Sequence, residues 1–185
     1  MKQLSNLHRR SIRLPEYDYA QPGAYFITVC AHQQVCLFGE IVDGEMCLNE
    51  MGHMVQACWD EIPAHFAQVE LDPFVVMPNH VHGIVVICED DSIGARHACV
   101  GATHASPLPR RANGPQPKSI AAIVGSFKSA VTKRMNELRN TPGAPVWQRN
   151  YYERIIRNEA ELNAVREYID NNPQQWALDV EYRNQ

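Results

Sequence analysis

No stretch of this 185-residue chain approaches the roughly 18 to 20 uninterrupted apolar residues of a membrane span, so no membrane partner is expected. The early basic residues Lys2, Arg9 and Arg10 precede no apolar h-region, so neither a signal peptide nor an anchor is expected and the expected location is cytoplasmic. CxxC pairs and metal-ribbon spacings are also missing. The six cysteines, at 30, 36, 47, 58, 88 and 99, fall partly inside apolar strand-like runs, where cysteine behaves as a small hydrophobe; reduced, mostly buried thiols are expected. An excess of basic charge is lacking too. The formal net charge of -4 argues mildly against a nucleic-acid protein, since phosphate binding is usually announced by a basic balance. The distribution qualifies the total, because Lys and Arg at 110, 111, 118, 128, 133, 134 and 139 face the single acid Glu137 over that interval. One side of the molecule could be basic despite the sum.

What is present fits one folded unit. A hydrophobic content of 45% and a charged content of 21% are ordinary for a globular chain, and the length suits one α/β or α+β domain with a full core. Residues 24–30, Ala-Tyr-Phe-Ile-Thr-Val-Cys, are β-branched and aromatic and predict a buried strand. Two further strands, over 35–41 and 46–48, flank an Asp43-Gly44 pair that signals a hairpin. Between 49 and 65, Met51, Met54, Val55, Cys58, Trp59 and Ile62 recur at helical spacing until Pro63 disturbs it. The stretch 74–88 alternates around Pro78-Asn79, with Val75, Met77, Val81, Val85 and Ile87 on one face and Val76, His80, His82, Ile84 and Val86 on the other. Residues 89–117 have neither periodicity, as in an exposed insertion or disordered loop. Helical spacing returns over 119–138, and a last helix starts at Asn158, which with Glu161 resembles a capping box, and ends at 171 or 172 before Pro173.

The chemistry-bearing residues lie in two places. His80 and His82 are two apart on a strand and therefore project from one face, where one metal ion could take both imidazoles. Tyr168 and Asn172 are four apart on the last helix and share its face, with Tyr168 beside the apolar stripe of Leu162, Val165 and Ile169. Two imidazoles and an amide oxygen would make a three-ligand site with open positions, suited to Mg²⁺ or Mn²⁺ bridging to a phosphate. A tyrosine hydroxyl, with an unperturbed pKa of about 10, needs help from a metal or base to become a nucleophile. Taken singly, each feature has a bland reading: a polar pair on a solvated face, an edge-of-core tyrosine, an ordinary helix end. The basic residues of the 119–138 helix, with Arg149, Arg154 and Arg157, read equally as a solvated face.

Together these residues carry a resemblance. Phe-Val-Val-Met-Pro-Asn-His-Val-His-Gly-Ile at 74–84, then Trp-Gln-Arg-Asn-Tyr-Tyr-Glu-Arg-Ile-Ile-Arg-Asn at 147–158, then Tyr-Ile-Asp-Asn-Asn-Pro at 168–173 resemble the REP-associated tyrosine transposases of the single-tyrosine HUH endonuclease superfamily. The likeness runs from about 13 to 176 with 89–118 excluded, so the expected organisation is one domain over 1–185 with an inserted loop at 89–118. It implies a ferredoxin-like α+β fold with a central antiparallel sheet, Tyr168 as the catalytic nucleophile, and His80, His82 and Asn172 as ligands of a divalent metal, Mg²⁺ or Mn²⁺. Tyr151 and Tyr152 are rival nucleophiles by residue type, but neither has an amide or acid followed by proline at the same spacing. The expected activity is nicking and rejoining of single-stranded DNA at repeated extragenic palindromic hairpins through a 5′-phosphotyrosine. Lys128, Lys133, Arg134, Arg149, Arg154 and Arg157 are candidate phosphate contacts, and the protein is expected to act as a monomer or homodimer. The alternatives are a hairpin-binding protein derived from a transposase that does not cut, and a metal-dependent hydrolase using activated water.

Overall fold

The computed structural model describes residues 17–89 and 115–178. A four-stranded antiparallel sheet runs through them, built from β1 (Gly23–Cys30), β4 (Val69–Met77), β5 (His80–Ile87) and β6 (Tyr152–Ile156), in the order β4-β5-β1-β6. A separate hairpin, β2 (Gly39–Val42) and β3 (Glu45–Leu48), turns on Asp43 and Gly44, both at positive φ (53° and 81°), the conformation of a type I′ turn. The helices are α1 (Glu50–Asp60), the single turn α2 (Ile62–His65), α3 (Ile120–Arg139) and α4 (Glu159–Asn171). With the hairpin set aside, the chain runs β1-α1-β4-β5-α3-β6, the βαββαβ path of a ferredoxin-like α+β fold.

Period-2 alternation divides the sheet into two faces. Tyr25, Ile27 and Val29 of β1 and Val81, Val85 and Ile87 of β5 pack with α1 and α3 in the larger core, around Trp59, Ile123, Phe127 and Val131. Ala24, Phe26 and Ile84 point the other way and pack with Leu162 and Ile169 of α4. The two crossover helices thus cover one face, and the last helix covers the other. Each start is capped by a side chain that accepts an otherwise unpaired backbone N–H: Asn49 for α1, Ser119 for α3 and Asn158 for α4. Asn140, left-handed at φ 53°, ends α3.

Several boundaries differ from the sequence reading. Pro63 stands in the first turn of α2, where its missing N–H costs no hydrogen bond, so it starts a new turn rather than merely ending the preceding helix. Residues 35–38 are not strand, and β4 begins at Val69, five residues before the predicted start. It passes through Pro73 at a register break between Leu71 and Phe74, the kind of bulge that tolerates proline. The predicted faces around Pro78-Asn79 also change. A two-residue loop pairs Met77 with His80 and Val75 with His82, so Val75 and Met77 share the histidines' face while Val76 joins Val81 opposite. Alternation carries across a continuous strand but not through a hairpin. Strand β6 was not anticipated, because its five residues include Glu153 and Arg154. Of the five described cysteines, Cys58 and Cys88 are buried, Cys30 and Cys36 half-buried and Cys47 exposed, which is less burial than expected. Most of the segment 89–118 read as an insertion lies outside the described residues.

Gly83, directly after the second histidine, shows how the far face positions the site. A Cβ there would stand 2.6 Å from Trp59 Cζ2 and 2.9 Å from Phe74 Cδ2, and those two rings stack at 4.2 Å. Gly83→Ala is expected to cost about 1–3 kcal/mol through overpacking, measured as a lower urea midpoint with unchanged slope.

Candidate active site

His80 and His82 are 0% and 2% exposed, so their ring nitrogens must find partners inside the protein. The Asn79 amide is oriented by its Nδ2, which donates to Gln34 O at 3.2 Å, and this turns Asn79 Oδ1 to His80 Nδ1 at 2.8 Å. An amide oxygen only accepts, so His80 Nδ1 carries the proton and its Nε2 presents a lone pair in the neutral ring. His82 Nδ1 meets Thr28 Oγ1 at 2.8 Å, Thr28 being its register partner on β1. The two Nε2 atoms then face each other at 2.9 Å. Two nitrogens each about 2.1 Å from one ion and at right angles around it stand about 3 Å apart, so the pair has the spacing of neighbouring ligands in an octahedral shell. Hydrogen bonds at the outer nitrogens, here to a side-chain amide and a hydroxyl, fix ring orientation as the outer partners of metal-binding histidines do. The donor set fits a divalent metal.

Tyr168 comes to the same place from α4. Its hydroxyl is 3.2 Å from His82 Nε2, and its ring packs edge-on against His82 at 5.2 Å and Phe26 at 6.0 Å. At 41% exposed, the phenol is open to solvent above two buried imidazoles. Asn172, four residues on, is buried at the end of α4, and after a tight turn Trp176 lies against the His80 ring at 5.8 Å. Asn172 is therefore bracketed in sequence by one residue on each histidine. Among the described residues no group of three His, Cys, Asp or Glu side chains could hold an ion. A metal here would take oxygen ligands besides the two imidazoles.

The basic residues are dispersed differently. Lys128, Lys133 and Arg134 are on α3, across the sheet from Tyr168. Lys128 donates to the carbonyls of Gln148 (2.7 Å) and Arg149 (3.2 Å), and burial pushes its pKa below the ordinary lysine value. Arg134 grips both oxygens of Glu61, an ion pair that lowers the carboxyl pKa, and Lys133 lies 4.0 Å from Glu137. Arg154 pairs with Glu161 in the first turn of α4. Arg149 and Arg157 have exposed side chains. The cations that looked like one basic helix face are thus largely committed to acids and carbonyls of their own chain.

No protein-family model matches the chain. An uncharacterised protein of Haemophilus influenzae (strain ATCC 51907 / DSM 11121 / KW20 / Rd) is 43% identical over 175 residues, covering 95% of this chain and 93% of that one. The chain belongs to one family with that protein. Among solved structures, that of a REP-associated tyrosine transposase bound to a REP hairpin aligns at a TM-score of 0.57 and 18% identity, over 90% of this chain and 76% of the other. This chain has the REP-associated tyrosine transposase fold.

Within that transposase fold, the sequence reading passed over the residues that hold the others in place. Thr28 and Asn79 set the histidine rings, Phe26 stacks on His82 at 5.4 Å, and Arg166 clamps α4 to the bulge in β4 through Nε–H to Asp72 Oδ1 at 2.9 Å. Asn79 stood inside a quoted motif and Arg166 two residues before the tyrosine, but nothing in spacing assigned them partners 1 and 94 residues away. Thr28→Val keeps the shape of the side chain and removes the oxygen facing His82. Affinity for Mn²⁺, read by calorimetry, is expected to fall about 10- to 100-fold, and folding stability by about 1–3 kcal/mol, because His82 Nδ1 loses the hydroxyl it faces in a buried site.

Proposed function

We propose that this protein is a single-tyrosine transposase that nicks and rejoins single-stranded DNA beside hairpins of repeated extragenic palindromes. The observation that carries the reading is the 3.2 Å approach of the Tyr168 hydroxyl to His82 Nε2, between residues 86 positions apart on opposed elements of one chain. A structural tyrosine at the edge of a core does not require a buried histidine pair beneath its hydroxyl. The fold shared with a transposase bound to a REP hairpin supports the substrate class.

His80, His82 and Asn172 would hold the divalent ion, Mg²⁺ or Mn²⁺, whose charge offsets that on the phosphate oxygens during attack. Thr28 and Asn79 keep the imidazoles in register, and α4, clamped by Arg166 to Asp72, delivers the phenol from above. The Tyr168 oxygen bonds to phosphorus as it loses its proton, the bond from phosphorus to the 3′ oxygen breaks, and that oxygen takes a proton and leaves as a hydroxyl. The downstream strand remains on Tyr168 through its 5′ phosphate. Because one phosphodiester replaces another, a second 3′-hydroxyl can reverse the exchange without ATP. The Tyr168 hydroxyl meets His82 of its own chain, which supports a site assembled within one monomer.

The test uses palindromic single strands with unpaired flanks, incubated with Mn²⁺ and run under denaturing conditions. A strand labelled at its 3′ end should become attached to the protein, while a 5′ label should leave on a fragment ending in a free 3′-hydroxyl. A protein that only binds hairpins yields no product, and a hydrolase using water yields fragments without adduct; either outcome refutes the proposal.

A further inference from the structure

We propose that Tyr152 is a positioning residue whose ring is a stacking platform for the base beside the phosphate that Tyr168 attacks, an assignment that rests on the reading above. The residue stands in one cross-strand row with the site: Thr28 of β1 is the register partner of His82 on one side and of Tyr152 on the other. Neighbouring strands are about 4.8 Å apart, so the Tyr152 backbone is roughly 10 Å from that of His82, within reach of a nucleotide next to the scissile one. Among the described residues, β6 is the last strand of the sheet on that side.

The side chains are layered in a way that suits this role. Phe26 sits at the centre of an aromatic group, stacked on His82 at 5.4 Å and edge-on to both Tyr168 (6.0 Å) and Tyr152 (6.3 Å). Phe26 itself is 8% exposed and so is spent as support, whereas Tyr152 on β6 is only half-buried. Its neighbour Tyr151 packs into the core on the other face, so of the two adjacent tyrosines one alone belongs to the site face. The Arg154 to Glu161 pair joins β6 to the first turn of α4, which sets the strand bearing Tyr152 beside the helix bearing Tyr168. An aromatic face is a sequence-tolerant base contact, since every base has a π-surface.

The experiment places 2-aminopurine at each unpaired position flanking a palindromic hairpin and measures its fluorescence on binding the full-length protein. One position is expected to be quenched in the wild type and in Tyr152→Phe and Tyr152→Trp, and to lose that quenching in Tyr152→Leu. For adduct formation, Tyr152→Leu should raise KM about tenfold with kcat nearly unchanged, while Tyr152→Phe keeps both. In unsubstituted protein, 5-iodouracil at the same position should photocrosslink to the peptide containing Tyr152, which needs no variant to fold. Equal quenching in wild type and Tyr152→Leu, or a crosslink only to other peptides, overturns the assignment while leaving adduct formation through Tyr168 standing. Loss of the adduct in Tyr152→Phe also overturns it, since the hydroxyl would then be doing chemistry. If the wild type shifts no hairpin DNA on a gel, the transposase reading fails and this inference falls with it.

Discussion

Tyr168→Phe is expected to abolish the covalent protein–DNA adduct, lowering its rate of formation by about 10⁴-fold or to background, while hairpin binding on a gel is preserved. The substitution deletes one oxygen, the atom that would bond to phosphorus, and keeps the ring that packs on Phe26 and His82. The residue is 41% exposed and loses one hydrogen bond, so folding stability should fall by about 0.5–1.5 kcal/mol, and circular dichroism showing a folded variant separates inactivity from unfolding. Tyr151→Phe and Tyr152→Phe serve as controls and should keep the adduct, because Tyr151 lies on the opposite face of the sheet and the Tyr152 ring packs on Phe26, a contact the substitution retains. Retention of the adduct by Tyr168→Phe would assign the nucleophile elsewhere.

The second large effect concerns the imidazoles. His80→Ala, His82→Ala and removal of divalent ions by EDTA are each expected to slow adduct formation about a thousandfold or more, with Mn²⁺ restoring the wild type after EDTA but neither variant. The chemistry of the donor set motivates this, namely two Nε2 atoms 2.9 Å apart with both Nδ1 atoms engaged by side-chain oxygens. His80→Ala carries a folding cost as well, about 1–3 kcal/mol, because Asn79 Oδ1 loses the ring nitrogen it faces in a buried site. Activity is therefore compared at a temperature where circular dichroism shows both variants folded. Calorimetry completes the test: the wild type should bind Mn²⁺ and the variants should not. Adduct formation indifferent to EDTA would remove the metal from the reaction.

Much of the architecture was readable because it rests on local rules. The strand over 24–30, the Asp43-Gly44 turn, the helix over 119–138 and the cap at Asn158 all follow from periodicity, turn chemistry and side-chain hydrogen bonding to nearby backbone. Their observed bounds differ by a residue or so. Strand β6 escaped because a short edge strand has little periodicity to display, and its inward Glu153 reads as polar although it is buried. The pairing of the basic run was not legible for a related reason. Charge counted along a chain ignores partners distant in sequence, and Arg134 finds Glu61 73 residues away.

By sequence alone, His80 and His82 were placed on one side of a strand and Tyr168 and Asn172 on one side of a helix, because side-chain direction within an element follows its own repeat. Whether those two sides meet is a matter of packing between elements. It was decided by the burial of Phe26, Ile84, Leu162 and Ile169 between the sheet and α4, by the Asp72 to Arg166 clamp, and by the cross-strand pairing of Thr28 with His82. The same packing sent Lys128, Lys133 and Arg134 to the opposite face. Such contacts join residues tens of positions apart, and only a closed hydrophobic core can convert their separate orientations into one site.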